Sequence, residues 1–131
     1  MADAIAQFAR AKYLNLETFR KTGVGVCTPV WFAQDVCHST PTVTVFYVYS
    51  EAGAGKVKRV RNNPKVRIAP CSMRGNLQGA WVDARAHTCE GEQAAHAQDL
   101  LRKKYGWLKI SGDFFGRLFR HRQTIIAIEV D

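Results

Sequence analysis

The chain has 131 residues, 47% hydrophobic and 23% charged, with a formal net charge of +8. That length supports a single domain, residues 1–131, with one real core, and the composition is that of a soluble globular protein. No apolar run approaches the roughly 20 residues of a membrane-spanning helix, and MADAIAQFARAKY lacks the basic and apolar regions of a secretory signal, so a cytoplasmic protein without a membrane partner is expected.

Residues 3–11 place Ile5, Phe8 and Ala9 at helical spacing and predict a short helix. Tyr13, Leu14, Leu16 and Phe19 follow in a strand, and residues 20–23 (RKTG) form a turn into a second strand over 24–33. Val24, Val26, Thr28, Val30 and Phe32 share one face of that strand. Residues 34–41 (QDVCHSTP) are polar and read as a loop. A third strand over 42–50 is rich in Thr, Val, Phe and Tyr. Beyond Gly53 and Gly55 comes a short basic helix with Lys56, Lys58, Arg59 and Arg61, stopped by Asn62, Asn63 and Pro64.

A fourth strand occupies 65–71, with Pro64 and Pro70 suiting an edge or a strand end. A turn over 72–76 leads to a fifth strand from about Leu77 to Cys89, which contains Trp81. Residues 92–105 form a helix with acids early and Arg102, Lys103 and Lys104 late, and Gly106 as its cap. Residues 107–122 are aromatic, basic and irregular, and residues 124–130 (TIIAIEV) make the last strand. The fold class is mainly β with peripheral helices: six strands in antiparallel order, best closed as a barrel.

Strand, glycine turn and basic helix together make a phosphate cradle, because a helix start offers unpaired amides and a positive dipole end. A solvated basic helix after an ordinary turn has the same pattern. A nucleotide-hydrolysing P-loop is excluded, since Ser50 stands where the first glycine belongs and Val57 where the magnesium-binding hydroxyl belongs. His38, His87, His96 and His121 form no triad with a strained serine, and Asp83 and Glu90 are isolated, so no catalytic side chain is assigned. Cys27, Cys37, Cys71 and Cys89 form no CxxC pair and read as reduced thiols, Cys27 and Cys71 as small buried hydrophobes; no metal is assigned. Trp31 and Trp81 stand beside small residues that let a flat ring approach the backbone, although from these residues alone packing in a core or subunit interface is the favoured reading.

The runs KYLNLETFRKTGVGVCTPVWF and VFYVYSEAGAGKVKRVRNNPKVRIAPCSMRGNLQGAWVDARA resemble the split β-barrel flavoproteins named for pyridoxamine phosphate oxidase. The branch most similar is that of small FMN- or deazaflavin-dependent oxidoreductases. The resemblance implies a six-stranded split barrel that dimerises with itself, with two cofactor sites at the subunit interface. It places Thr28, Pro29, Val30 and Trp31 along the ring, and Tyr49, Ser50 and Lys56 on the ribityl chain and phosphate. Val57 and Arg61 lie nearby, and Ala80 and Trp81 approach the ring from the partner subunit. The implied cofactor is FMN or the deazaflavin coenzyme F420, and the implied activity is hydride transfer to a small planar conjugated acceptor. Retention of a flavin or haem-type ligand without turnover is the alternative. A nucleic-acid partner is not expected, because no strand face interleaves exposed aromatics with Lys and Arg.

Overall fold

The structure, a computed structural model, describes residues 5–37, 43–51, 54–105 and 123–130. Among these residues lie six strands and two helices in the order β1 (Tyr13–Phe19), β2 (Gly25–Cys37), β3 (Val43–Glu51), α1 (Gly55–Asn62), β4 (Lys65–Cys71), β5 (Val82–Thr88), α2 (Gly91–Tyr105) and β6 (Gln123–Val130). The strands close as a barrel in the order β1-β2-β3-β6-β5-β4, and every neighbouring pair is antiparallel. Closure gives each strand two partners and so removes the exposed edge that an open sheet would present.

Side chains alternate between the faces of a strand, and the barrel interior takes even-numbered positions. Leu14, Leu16, Val30, Phe32, Phe46, Val48, Val66, Ile68, Val82, Ala86, Ile126 and Ile128 form this core. The outer face of β2, β3 and β6 is covered too: Ala97 and Leu101 of α2 pack with Ala33, Val45, Tyr47, Ile125 and Ala127. Burial on both faces is why β3 and β6 read as nearly unbroken apolar runs, whereas β5, covered on one face, alternates Val82, Asp83, Ala84, Arg85, Ala86. His96 Nε2 lies 2.7 Å from Asp35 Oδ2 and ties α2 to β2.

Two short segments fill the barrel ends. Phe8, buried in an N-terminal turn, lies 6.0 Å from the Phe32 ring and 4.9 Å from Phe46. At the end where β1 finishes and β4 begins, α1 inserts Val57 and Val60 into the same core, and Arg59 Nε donates to Thr18 Oγ1 at 2.6 Å.

Lys104, in the last turn of α2, donates to the Ala11 carbonyl at 3.3 Å and sits 3.4 Å above the Phe32 ring. Burial outweighs these attractions and lowers its amine from the usual 10.5 to about 8. Between those two values the unfolded chain holds the proton that the native chain has released, so native stability rises with pH across that window. Discounted for partial solvent screening, the rise is expected to be roughly 1–2 kcal/mol and to disappear in Lys104→Met. Urea unfolding of both proteins across a pH series measures it.

Several expectations need correction. Residues 34–37 are not loop: β2 leaves β1 at Trp31 and pairs with β3 from Phe32↔Val48 to Cys37↔Val43, so a polar stretch becomes strand. Val24 does not share the face of Val30 and Phe32; it stands in the turn, 54% exposed. The fifth strand begins at Val82 rather than Leu77. Pro70 has no N–H to give, its carbonyl takes the Gln78 amide, and the β4–β5 ladder is confined to Lys65–Ile68 against Val82–Arg85. Trp81 therefore precedes the strand. β4 is no edge strand, since it pairs with β1 and β5. Cys27 is exposed, not buried, because it faces outward from the barrel. Gly106, residues 107–122, His38 and His121 lie outside the described residues.

Candidate functional site

Along β2 the residues of TPVW alternate. Thr28 stands opposite Leu16 and Val30 opposite Leu14, both on the inward face, and Val30 is buried in the core. Pro29 and Trp31 face outward, Pro29 exposed and Trp31 packed against the cluster beneath α2. Because Phe32 pairs with Val48, Trp31 and Tyr49 occupy neighbouring outward positions on β2 and β3. Tyr49 packs against the same cluster, and its hydroxyl is buried with no hydrogen-bond partner among the described residues. Burial pushes its phenol up, the Arg102 charge draws it down and Asp99 pushes it up again. A buried hydroxyl left without a partner is costly unless something else supplies the bond. Ser50 is buried on the opposite face, paired with Thr124.

Residues 52–54 join β3 to α1. Ala54 at the N-cap supplies no side-chain cap, and the first turn contains no acid. The Val57 and Lys58 amides bond the Ala54 carbonyl, whereas those of Gly55 and Lys56 lie outside the helical ladder. Arg59 adds a cation that sequence reasoning does not assign to this place. Its guanidinium folds back over the helix start, so that a Cβ on Gly55 would stand 2.7 Å from Nη1. The available signal is the four-residue spacing from Gly55 to Arg59, one turn apart on the helix. Val57 faces the barrel core and anchors the helix, while Arg61 is exposed in the last turn, at the other end from the helix start.

Ala80 and Trp81 are not brought to this group within one subunit. They follow the β4–β5 connection, on the far side of β1 and β4 from Trp31 and Tyr49. Ala80 is hydrogen bonded to Gln7, and Trp81 lies beneath the Arg67 guanidinium, 4.8 Å from the ring centroid.

An open groove of about 530 Å³ on the outer face of β4 and β5 is lined by Phe19, Lys65, Arg67, Asp83, Arg85 and Glu129 and contains none of the assigned contacts. Its register sets Arg67 opposite Asp83 and Arg85 opposite Glu129, so its cations stand largely compensated. Among the described cysteines none is a ready nucleophile: partial burial and the Glu17 charge push the Cys27 thiol up, burial pushes the Cys71 thiol up, and the Cys89 thiol rises to about 11.

No protein-family model and no curated protein sequence matches the chain. Solved structures do. The haem storage protein HutZ of Vibrio cholerae superposes with a TM-score of 0.70 at 15% identity, over 99% of this chain and 89% of HutZ. A provisionally named pyridoxamine 5'-phosphate oxidase of Listeria innocua gives 0.56 at 17% identity, over 97% and 90% of the two chains. The fold is the pyridoxamine 5'-phosphate oxidase-like split barrel. An F420-H2 dependent reductase of this shape gives 0.57 at 13% identity, over 89% and 93%. Structures of this shape thus include both a reductase and a haem storage protein.

Proposed function

We propose that this split barrel is an oxidoreductase that holds FMN or the deazaflavin coenzyme and transfers hydride to a small planar conjugated acceptor. It works as a cytoplasmic homodimer with a cofactor site in each of two interface clefts. The observation that carries this reading is the start of α1: a first turn without acids, with Lys56 in it and the Arg59 guanidinium folded over it, a few residues beyond Tyr49 and Ser50 near the end of β3 at Glu51. Such an end fits a phosphate, which takes backbone donors and cations together. The Tyr49 hydroxyl, without a partner among the described residues, fits a polar ligand atom in the same region.

When bound, a flavin-type ring supplies the hydride chemistry itself, which suits a chain with no assigned catalytic side chain. Its residues orient and exclude water. Trp31 and the β2 backbone form a flat wall, Lys56 and the α1 amides fix the phosphate, and Trp81 of the second subunit closes over the ring.

Storage of haem without turnover is the second reading, supported by the likeness to HutZ. The described histidines favour it less: His87 Nε2 is engaged by Gln93 at 3.2 Å and His96 Nε2 by Asp35.

Titration of purified protein with FMN, the deazaflavin coenzyme and haemin separates the readings. One flavin-type ring bound per subunit, with acceptor reduction by the reduced complex, is the expected result. Haemin binding with indifference to both flavin-type compounds overturns it.

A further inference from the structure

Three contacts converge on the end of the β4–β5 connection, and none belongs to the barrel ladders. Gln7, in the N-terminal turn, reaches 73 positions along the chain to Ala80. Its Nε2 donates to the Ala80 carbonyl at 2.9 Å, and its Oε1 accepts from the Ala80 N–H at 2.8 Å. One side-chain amide thus serves both backbone groups of that residue, as a neighbouring strand would. A Cβ on the preceding Gly79 would collide with Gln7 Oε1 and with Pro70, so this closeness depends on glycine. The next residue, Trp81, is braced from another direction. Arg67 sits 4.8 Å from its ring centroid and is itself held by Glu17, Nε to Oε1 at 2.5 Å, the Glu17 side chain being only 12% exposed.

The geometry points to Gln7 and Arg67 as positioning residues for Trp81, the Gln7 amide fixing the backbone from which the indole projects and the Arg67 guanidinium occupying one of its faces. This rests on the proposed function, in which Trp81 meets the cofactor ring of the partner subunit. The ring face turned away from the guanidinium is then the one a planar ligand stacks on. Cation–π attraction draws indole electron density towards Arg67; Glu17 and Asp83 offset its charge at longer range, so the effect works through the ring it touches. An indole face depleted in this way favours an electron-rich, reduced ring over its oxidised form. Arg67 therefore bears on redox preference, and Gln7 on the order of the loop.

The chain has three tryptophans, so Trp31→Phe with Trp107→Phe leaves Trp81 as the sole indole. In that background, Gln7→Met, which keeps the side-chain bulk and removes both hydrogen bonds, is expected to raise acrylamide quenching of Trp81. In the otherwise native chain the same change is expected to weaken FMN or deazaflavin binding about tenfold, as two lost hydrogen bonds imply. Arg67→Met is expected to make the midpoint potential of the bound ring more negative, a change that looser packing alone does not predict. Unchanged quenching in Gln7→Met overturns the clasp. Raised quenching with unchanged affinity, or an unmoved potential in Arg67→Met, overturns the positioning role. If the native protein binds neither compound, the proposed function falls instead, and the quenching measurement still decides the clasp.

Discussion

Lys56→Ala is expected to weaken retention of FMN or the deazaflavin coenzyme by roughly 10- to 100-fold, because a hydrogen bond between charged partners is worth about 1.5–3 kcal/mol and about 1.4 kcal/mol is tenfold in affinity. The loss is bounded, since the dipole of α1 and the Arg59 guanidinium remain. Arg59→Ala is expected to cost somewhat less in affinity and something in stability as well, for Arg59 also donates to Thr18. Arg61→Ala supplies the contrast. That residue is exposed in the last turn, and an exposed charge at such a distance is screened by salt, so the change is expected to stay within about threefold. Fluorescence titration of the three variants at two salt concentrations tests the order. Equal affinity of Lys56→Ala and the native protein removes the phosphate assignment. An Arg61→Ala loss as large as that of Lys56→Ala moves the site away from the helix start.

Phe8→Ala is expected to destabilise the fold severely, by about 3–5 kcal/mol, the range for truncating a buried aromatic. Phe8 is 1% exposed, within ring contact of Phe32 and Phe46, and the turn that carries it closes one end of the barrel. Such a loss is a large fraction of the roughly 5–15 kcal/mol typical of a domain. Equilibrium urea unfolding measures it. A cost below about 1 kcal/mol would mean that the N-terminal turn rests on the barrel without sealing it. The contrast with Gln7→Met is informative, because Gln7 lies in the same turn but is only partly buried. Its replacement should lower the unfolding midpoint far less than Phe8→Ala does while disturbing Trp81.

Much of the fold is legible in the sequence because strand patterning reports burial directly. Strand β4 reads with its observed bounds, since KVRIAPC follows Pro64 directly and carries Pro70 one residue from its end. The basic helix is legible for a similar local reason: Asn63 and Pro64 cannot continue it. Strand β2 reads too short because Gln34 and Asp35 look like loop residues. Their strand geometry comes from β3, which replaces β1 as the partner at Phe32. The fifth strand reads too long because Leu77 and Trp81 look like strand residues, and nothing local to them announces that Pro70 has withheld a ladder bond.

The site is legible only in part. Lys56 stands out by its place after a glycine turn, and it lies in the first turn of α1. Arg59 is visible as a charge but not as one that folds back over Gly55. Gln7 gives no signal at all, since an amide in a short polar turn has no pattern that names a partner 73 positions away.

By itself, then, the amino-acid order determined which segments bury one face or two, where glycine and proline interrupt them, and that a cationic helix follows β3. Those properties depend on neighbours within a few positions, and periodicity carries them. Tertiary structure alone decided that Phe8 seals the barrel, that β2 changes partners midway, and that Gln7 clasps Ala80 while Arg67 covers the neighbouring Trp81. Each is a contact between residues far apart in the chain, made only when barrel closure brings their backbones together, and no local pattern encodes which distant residue will arrive.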